Sequence, residues 1–210
     1  MSLLDYAALA ATPMAEDPFP HVVVPHFLPA PTLHAVVADL PPLNRRGSFP
    51  VGAVPLGRTA QALMAELEGD DMRAAIADKF RLDLDGSPTM LTLRAWTSER
   101  DGHIHVDSTA KRVTVLLYLN PDTDAWTQHE GCLRLVRGPG NLEDYAVEVP
   151  PVNGTLLVFP NSAHAWHGHK VFTGQRYSLQ LNYMTTDAKA RSELRRHRIS
   201  AFMKRLTRAA

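Results

Sequence analysis

The chain has 210 residues, with 22 Lys and Arg against 22 Asp and Glu, so its formal net charge is zero with histidines neutral. That length suits one domain that buries a core without disulfide staples. The single cysteine, Cys132, excludes an intrachain disulfide and fits a reducing compartment, and zero net charge gives no general pull towards nucleic acid or membrane.

No apolar run approaches the roughly 18 residues of a membrane span. The first twenty residues lack a basic leader region. A cytoplasmic globular protein is expected, with no membrane span and no nucleic-acid partner. The charge is uneven, however. From Asp187 onwards eight Lys and Arg face two acids, so the tail carries +6 and the rest −6.

Prolines fence a short β-branched strand at Val22–Val24. Pro31 can open a helix in its first turn, and Leu33, Val36, Val37 and Leu40 continue at helical spacing. The stretch PPLNRRGSFPVGAVPLG reads as loop. RTAQALMAELEGDDMRAAIADKF is rich in good helix formers, and Gly69 should split it in two. From Thr89 the period changes to that of strands. TMLTLRAW, KRVTVLLYLN, GCLRLVRG, YAVEVP, GTLLVFP and QRYSLQLNYM are short, β-rich and separated by turn signals, as in a sandwich or barrel. After Asp187 the pattern returns to helix, with Leu194, Ile199, Phe202, Met203 and Leu206 on one stripe. The expected layout is a single domain, mainly β with flanking helices. Residues 1–88 give helical support and a first strand, 89–186 the β core, and 187–210 a basic amphipathic helix.

The segment DGHIHVDSTAKRVTVLLYLN places polar groups at the mouth of a strand. Residues two apart on a strand share a face, so His105 and Asp107 point the same way, with His103 beside them. An imidazole and a carboxylate are two parts of the 2-His-1-carboxylate set, which leaves open positions on Fe(II). The third ligand would come from His164, His167 or His169, beyond the apolar run GTLLVFP. In the strand that follows, Arg176, Ser178, Gln180 and Asn182 alternate with Tyr177, Leu179, Leu181 and Tyr183. The polar face can meet water, or it can line a pocket where Arg176 and Ser178 hold a carboxylate.

His105-x-Asp107, a histidine about sixty residues on and an Arg-x-Ser nine residues after it resemble the Fe(II)/2-oxoglutarate-dependent oxygenases of the prolyl 4-hydroxylase-like superfamily. VTVLLYLN, EGCLRL and PPVNGTLLVFP supply supporting context between Leu91 and Tyr183. Glu130 departs from the pattern, standing where many relatives have a second glycine. The resemblance implies a double-stranded β-helix, or jelly roll, with Fe(II), 2-oxoglutarate and O2 as cofactor and cosubstrates. It implies His105, Asp107 and His167 as metal ligands, and Arg176 with Ser178 as the partners of the distal carboxylate of 2-oxoglutarate. It further implies hydroxylation of a small-molecule, carrier-linked or peptidyl substrate, with release of succinate and CO2. A carboxylate at position 107 favours hydroxylation over halogenation, for which relatives carry a small residue there.

Tyr118 and Asn120 share the face of Thr114 and Leu116 and are placed at the cosubstrate. Arg94, Trp96, His103 and Arg134 are placed at the substrate. Each has a plainer reading as a strand-face or loop residue. The basic tail reads as a packed helix with solvated arginines, or as a dock for an acidic partner. The rival functions are a non-catalytic β-sandwich of the same ancestry and a cupin-type metal enzyme that needs no 2-oxoglutarate.

Overall fold

The computed structural model describes residues 2–44, 46–123, 126 and 129–209, with side chains as far as residue 201. Helix α1 (Tyr6–Ala11) is capped by Asp5, whose carboxylate accepts from the Ala8 amide at 2.9 Å. Strand β1 (Val22–Val24) and helix α2 (Ala30–Ala38) lie where the prolines put them, with a proline in the first turn of α2. Gly69 divides α3 (Arg58–Leu67) from α4 (Asp70–Phe80), as the glycine requires.

Within the stretch read as loop there is a short strand, β2 (Ser48–Pro50), and a 3-10 turn over Val51–Ala53. β2 is an edge strand, and an edge strand tolerates proline because its outward amide needs no partner.

The β core comprises β3 (Thr89–Thr97), β4 (Lys111–Tyr118), β5 (Leu133–Val136), β6 (Tyr145–Val149), β7 (Leu156–Pro160), β8 (His167–His169) and β9 (Gly174–Met184). One sheet has the order β1-β7-β4-β9-β3-β2 and the other β6-β5-β8, with antiparallel pairing throughout. From β4 to β9 the chain passes back and forth between the two sheets. That winding is the double-stranded β-helix.

The period-2 pattern of the strands sorts their side chains into two cores. Val113, Val115 and Leu117 of β4 and Leu179, Leu181 and Tyr183 of β9 face the helices, where they meet Leu33, Val36, Leu63, Leu67, Met72 and Ile76. Burying such side chains contributes about 1.5–3 kcal/mol each, before the entropy of ordering them. The alternate residues face the space between the sheets. There Tyr118, Leu133, Leu135, Leu157 and Phe159 form a second, smaller core. Beyond it the interior becomes polar and opens to solvent.

Helix α5 (Ala188–Ala209) begins with Asp187 accepting from the Ala190 amide at 2.7 Å. The apolar stripe expected along it is only partly present. Leu194 packs beside Ala110, Met184 and Ala190, but Ile199 is 50% exposed. Phe202, Met203 and Leu206 lie outside the residues whose side chains are described. The first turns of α5 hold the loop after Asp107. Ser108 donates to Glu193 at 2.6 Å, and Lys189 donates to Thr109 at 2.8 Å. Among the described residues no helix is long and apolar enough to cross a membrane.

Candidate metal and cosubstrate site

His105 and Asp107 do not open a strand. They lie in an extended loop that runs to Lys111, and His105 forms an isolated antiparallel bridge with His167 of β8. Two backbone hydrogen bonds of 3.0 Å make this bridge, one from each amide to the other carbonyl. The loop approaches β8 closely because glycine stands on both sides. Gly102 has φ +94°, and a Cβ there would come within 2.4 Å of the His169 carbonyl oxygen. A Cβ on Gly168 would come within 2.8 Å of the Gly102 oxygen. Directly paired residues project side by side, so the two imidazole rings stand with centroids 4.4 Å apart.

Both rings are oriented through the nitrogen that faces away from the site. Nδ1 of His105 lies 2.8 Å from the His103 carbonyl oxygen, and Nδ1 of His167 lies 2.9 Å from that of Ala165. With Nδ1–H donating, each ring keeps its Nε2 lone pair free to bind a metal. Asp107 supplies the third ligand atom. One atom each from His105, Asp107 and His167 lie within 4.8 Å of one another. This donor set, two imidazoles and one carboxylate, suits Fe(II) and leaves coordination positions open.

The carboxylate is held from two sides. Lys111 donates to Oδ1 at 2.6 Å and Thr114 donates to Oδ2 at 2.5 Å. Burial pushes the Asp107 carboxyl up, but Lys111, His167 and the two hydrogen bonds outweigh it and hold it below the usual range. Burial pulls His167 down to about 4 against the raising effect of Asp107. Burial and the nearby Arg176 pull His169 down to about 4 as well.

Those two shifts fix a pH window. Folded His167 and His169 refuse protons that the unfolded chain accepts below its ordinary value of 6.5. Their contribution to stability is therefore complete above 6.5 and is lost as pH falls towards about 4. Chelator-treated, metal-free protein is expected to melt at steadily lower temperature across that window, as read by a thermal melt at each pH.

The cavity behind the ligands holds about 120 Å³ of open space. Its walls include Arg94, Lys111, Thr114, Leu116, Tyr118, Leu133, His169, Arg176, Ser178 and Gln180. The polar face of β9 thus lines a pocket, not open water. Arg176, Ser178 and Tyr118 are all buried there. Arg176 donates through Nε to the Gly131 carbonyl at 2.9 Å, and its guanidinium carbon lies 5.3 Å from the Tyr118 ring centre. The Tyr118 hydroxyl is buried without a hydrogen-bond partner. Burial pushes it up, and the adjacent Arg176 opposes that rise. A buried hydroxyl with no partner, beside a guanidinium that uses only Nε, fits one oxyanion of a cosubstrate.

Several residues placed at the site by sequence lie elsewhere. Asn120 does not reach the cavity. It donates to the carbonyls of Pro151 and Tyr177 and accepts from the Tyr177 amide at 2.7 Å, which ties the end of β4 to β9. Asn120→Ala leaves those buried backbone groups unpaired and is expected to cost roughly 2–3 kcal/mol in a urea melt. Arg134 is on the opposite face of β5, where Glu148 binds it at 2.6 Å and Glu143 at 2.8 Å, with the Tyr145 ring against it.

A bulge between Arg94 and Trp96 resets the register of β3 on β9, so Trp96 stands opposite Gln175 and outside the cavity. His103 is exposed and borders a separate groove with Pro139, Leu142 and Val171. His164 is exposed and away from the cavity, whereas His169 lines it. Arg94 does line it. Lys111 was not singled out from sequence, although its place four residues after Asp107 at the start of a strand is the signal that finds it.

A metal held by two imidazoles and one carboxylate, at the open end of a double-stranded β-helix, defines the class of non-haem oxygenases. Residues 91–184 match the family model of the 2OG-Fe(II) oxygenase superfamily. That segment, which carries His105, Asp107, His167 and Arg176, is similar to the catalytic core of those oxygenases, and its three converging ligand atoms suit the Fe(II) they use.

Solved structures agree on the fold. A prolyl-4-hydroxylase from Pseudomonas putida is 20% identical, with TM-score 0.55, covering 86% of this chain and 91% of its own. A prolyl hydroxylase from Trichoplax adhaerens, in complex with a hypoxia inducible factor oxygen degradation domain peptide fragment, is 19% identical with TM-score 0.52 and covers 89% of each chain. A viral collagen prolyl hydroxylase from Paramecium Bursaria Chlorella virus-1, solved as a 2OG complex, is 12% identical with TM-score 0.51, covering 79% of this chain and 96% of its own. No curated protein sequence matches the chain.

Proposed function

We propose that the protein hydroxylates a C–H bond of a small-molecule, carrier-linked or peptidyl substrate. One O2 is consumed, one oxygen atom going to the substrate as hydroxyl and the other to succinate as 2-oxoglutarate loses CO2. The observation that carries this reading is the convergence of His105, Asp107 and His167 beside a buried Arg176, Ser178 and partnerless Tyr118. His105, Asp107 and His167 would hold Fe(II), which supplies the activation of O2. Arg176 takes the distal carboxylate of 2-oxoglutarate through its terminal nitrogens, and the Tyr118 and Ser178 hydroxyls add hydrogen bonds. Lys111 and Thr114 keep the Asp107 carboxylate ionised and fixed in orientation. The low proton affinity of His167 keeps its ring a neutral ligand through the physiological range.

The three prolyl hydroxylase structures that the chain resembles support extending the proposal to peptidyl proline as one substrate type. The buried free thiol of Cys132 suits a reducing, cytoplasmic setting. The exposed Arg195, Arg196 and Arg198 of α5 suit an acidic partner, a carrier protein among them.

An anaerobic titration of metal-free protein with Fe(II) and then 2-oxoglutarate tests the reading. A weak visible charge-transfer band saturating near one equivalent is expected, followed by succinate release in air. Metal binding without the band would defeat the 2-oxoglutarate assignment and favour a cupin-type enzyme.

A further inference from the structure

The walls of the metal cavity carry three fixed cations, Arg94, Lys111 and Arg176, and one carboxylate, Asp107. Lys111 is spent on Asp107 at 2.6 Å. Arg176 faces Tyr118, where the cosubstrate carboxylate is placed. Under the function proposed above, on which this step rests, a divalent metal and a dianionic cosubstrate cancel each other. Two positive charges then remain in the loaded cavity.

Arg94 is the cation left without a role in holding the metal or 2-oxoglutarate. It stands on β3 directly opposite Ser178, which in turn stands opposite Tyr118 on β4. It therefore faces the same cavity from the side of the mouth, where it is solvent-accessible. Among the described residues its guanidinium makes no hydrogen bond and no ion pair. The acid nearest the mouth, Asp101, is occupied by Arg46 at 2.8 Å and by the Ser98 amide at 2.9 Å. An exposed guanidinium at the cavity mouth, with no hydrogen-bonded acid of its own, is open to pair with an anion that enters beside Arg176.

We infer that the substrate is an anion, and that Arg94 binds its carboxylate or phosphate group at the cavity mouth while 2-oxoglutarate occupies Arg176. Arg94 thereby selects acids over their neutral amides or esters. The alternative is that Arg94 and Arg176 share the single distal carboxylate of 2-oxoglutarate, and the test separates the two.

Protein loaded with Mn(II) and saturating 2-oxoglutarate is titrated by calorimetry with acetate and, separately, with sulfate. Wild type is expected to take up one equivalent of a further oxyanion. The tighter of the two probes tells a carboxylate site from a site for a tetrahedral oxyanion. Arg94→Ala should weaken that uptake by roughly tenfold or more, with metal and 2-oxoglutarate binding unchanged. Arg94→Lys, which restores the charge but not the fork, should recover part of it, which a purely structural role would not do. The inference is overturned if wild type takes up no second oxyanion. It is also overturned if Arg94→Ala weakens 2-oxoglutarate in place of the probe. Failure of Mn(II) and 2-oxoglutarate to bind wild type would instead defeat the function itself. The anion titration of the unloaded protein still reads Arg94 in that case.

Discussion

Arg176→Ala is expected to raise the 2-oxoglutarate requirement by roughly 100-fold or more while leaving metal binding in place. The size follows from the chemistry of truncation. Removing one partner of a buried, charge-assisted contact costs about 2–5 kcal/mol, which is about 30-fold to several thousand-fold in binding. The guanidinium is 6% exposed, so bulk water does little to screen or replace it. Among the described residues it makes one hydrogen bond, from Nε to the Gly131 carbonyl, beside its contact with the Tyr118 ring, so the loss of stability should be modest, about 1–2 kcal/mol. Arg176→Lys keeps the charge but loses the two-pronged geometry, and an intermediate effect of about tenfold is expected. The visible band of the metal chelate, titrated with 2-oxoglutarate, reads all three proteins. An unchanged midpoint for Arg176→Ala would remove Arg176 from the cosubstrate site.

The polar row that carries Arg176 was legible in the sequence because strands impose period 2 and β9 keeps it for eleven residues. The same rule makes β4 legible and puts Tyr118 in the cavity. It fails where the backbone departs from a simple strand. Trp96 has the parity of Arg94, but the bulge between them sets it opposite Gln175. β8 reads His-Gly-His and has no apolar alternation at all. It is a strand only because β5 and the His105 loop pair with it, and both partners are distant in sequence.

The motif around His105 was readable as chemistry and misread as structure. Its residues sit on a loop whose close approach to β8 depends on Gly102 and Gly168. Arg134 shows a different limit. Charge on a short strand does not say which face it takes, and here Glu143 and Glu148 decide it. Asn120 shows a third. Its work is to satisfy backbone groups of Pro151 and Tyr177, which no local pattern announces. Helix α1 went unread in the sequence, because its six residues are too short to show a helical period.

His167→Ala is expected to lower metal affinity by at least about 100-fold, since even residues that only orient a ligand are worth roughly 10–100-fold. His164→Ala, on an exposed side chain three residues earlier, should leave affinity unchanged. His169→Ala should also retain metal, because His169 lines the cavity but is not among the three converging ligands. The three variants thus separate proximity in sequence from convergence in space, and calorimetric titration of the metal-free proteins reads them directly.

The same substitution has a second expected consequence, on the metal-free fold. Wild-type His167 is buried, packs 5.0 Å from the Phe159 ring centre and takes a proton only near pH 4. Removing it deletes one of the two histidines whose lowered proton affinity makes the fold acid-sensitive between pH 6.5 and about 4. The melting temperature of His167→Ala should start lower at neutral pH, because a buried ring is lost. It should then fall less steeply than wild type between pH 6.5 and about 4. A metal-binding defect alone predicts no change in that slope for chelated protein. A flattened slope with a lost metal site ties both properties to one feature, an imidazole held neutral by burial so that its Nε2 lone pair faces the ion. An unflattened slope would mean that His169 or other groups carry the acid sensitivity, and that burial of His167 serves packing.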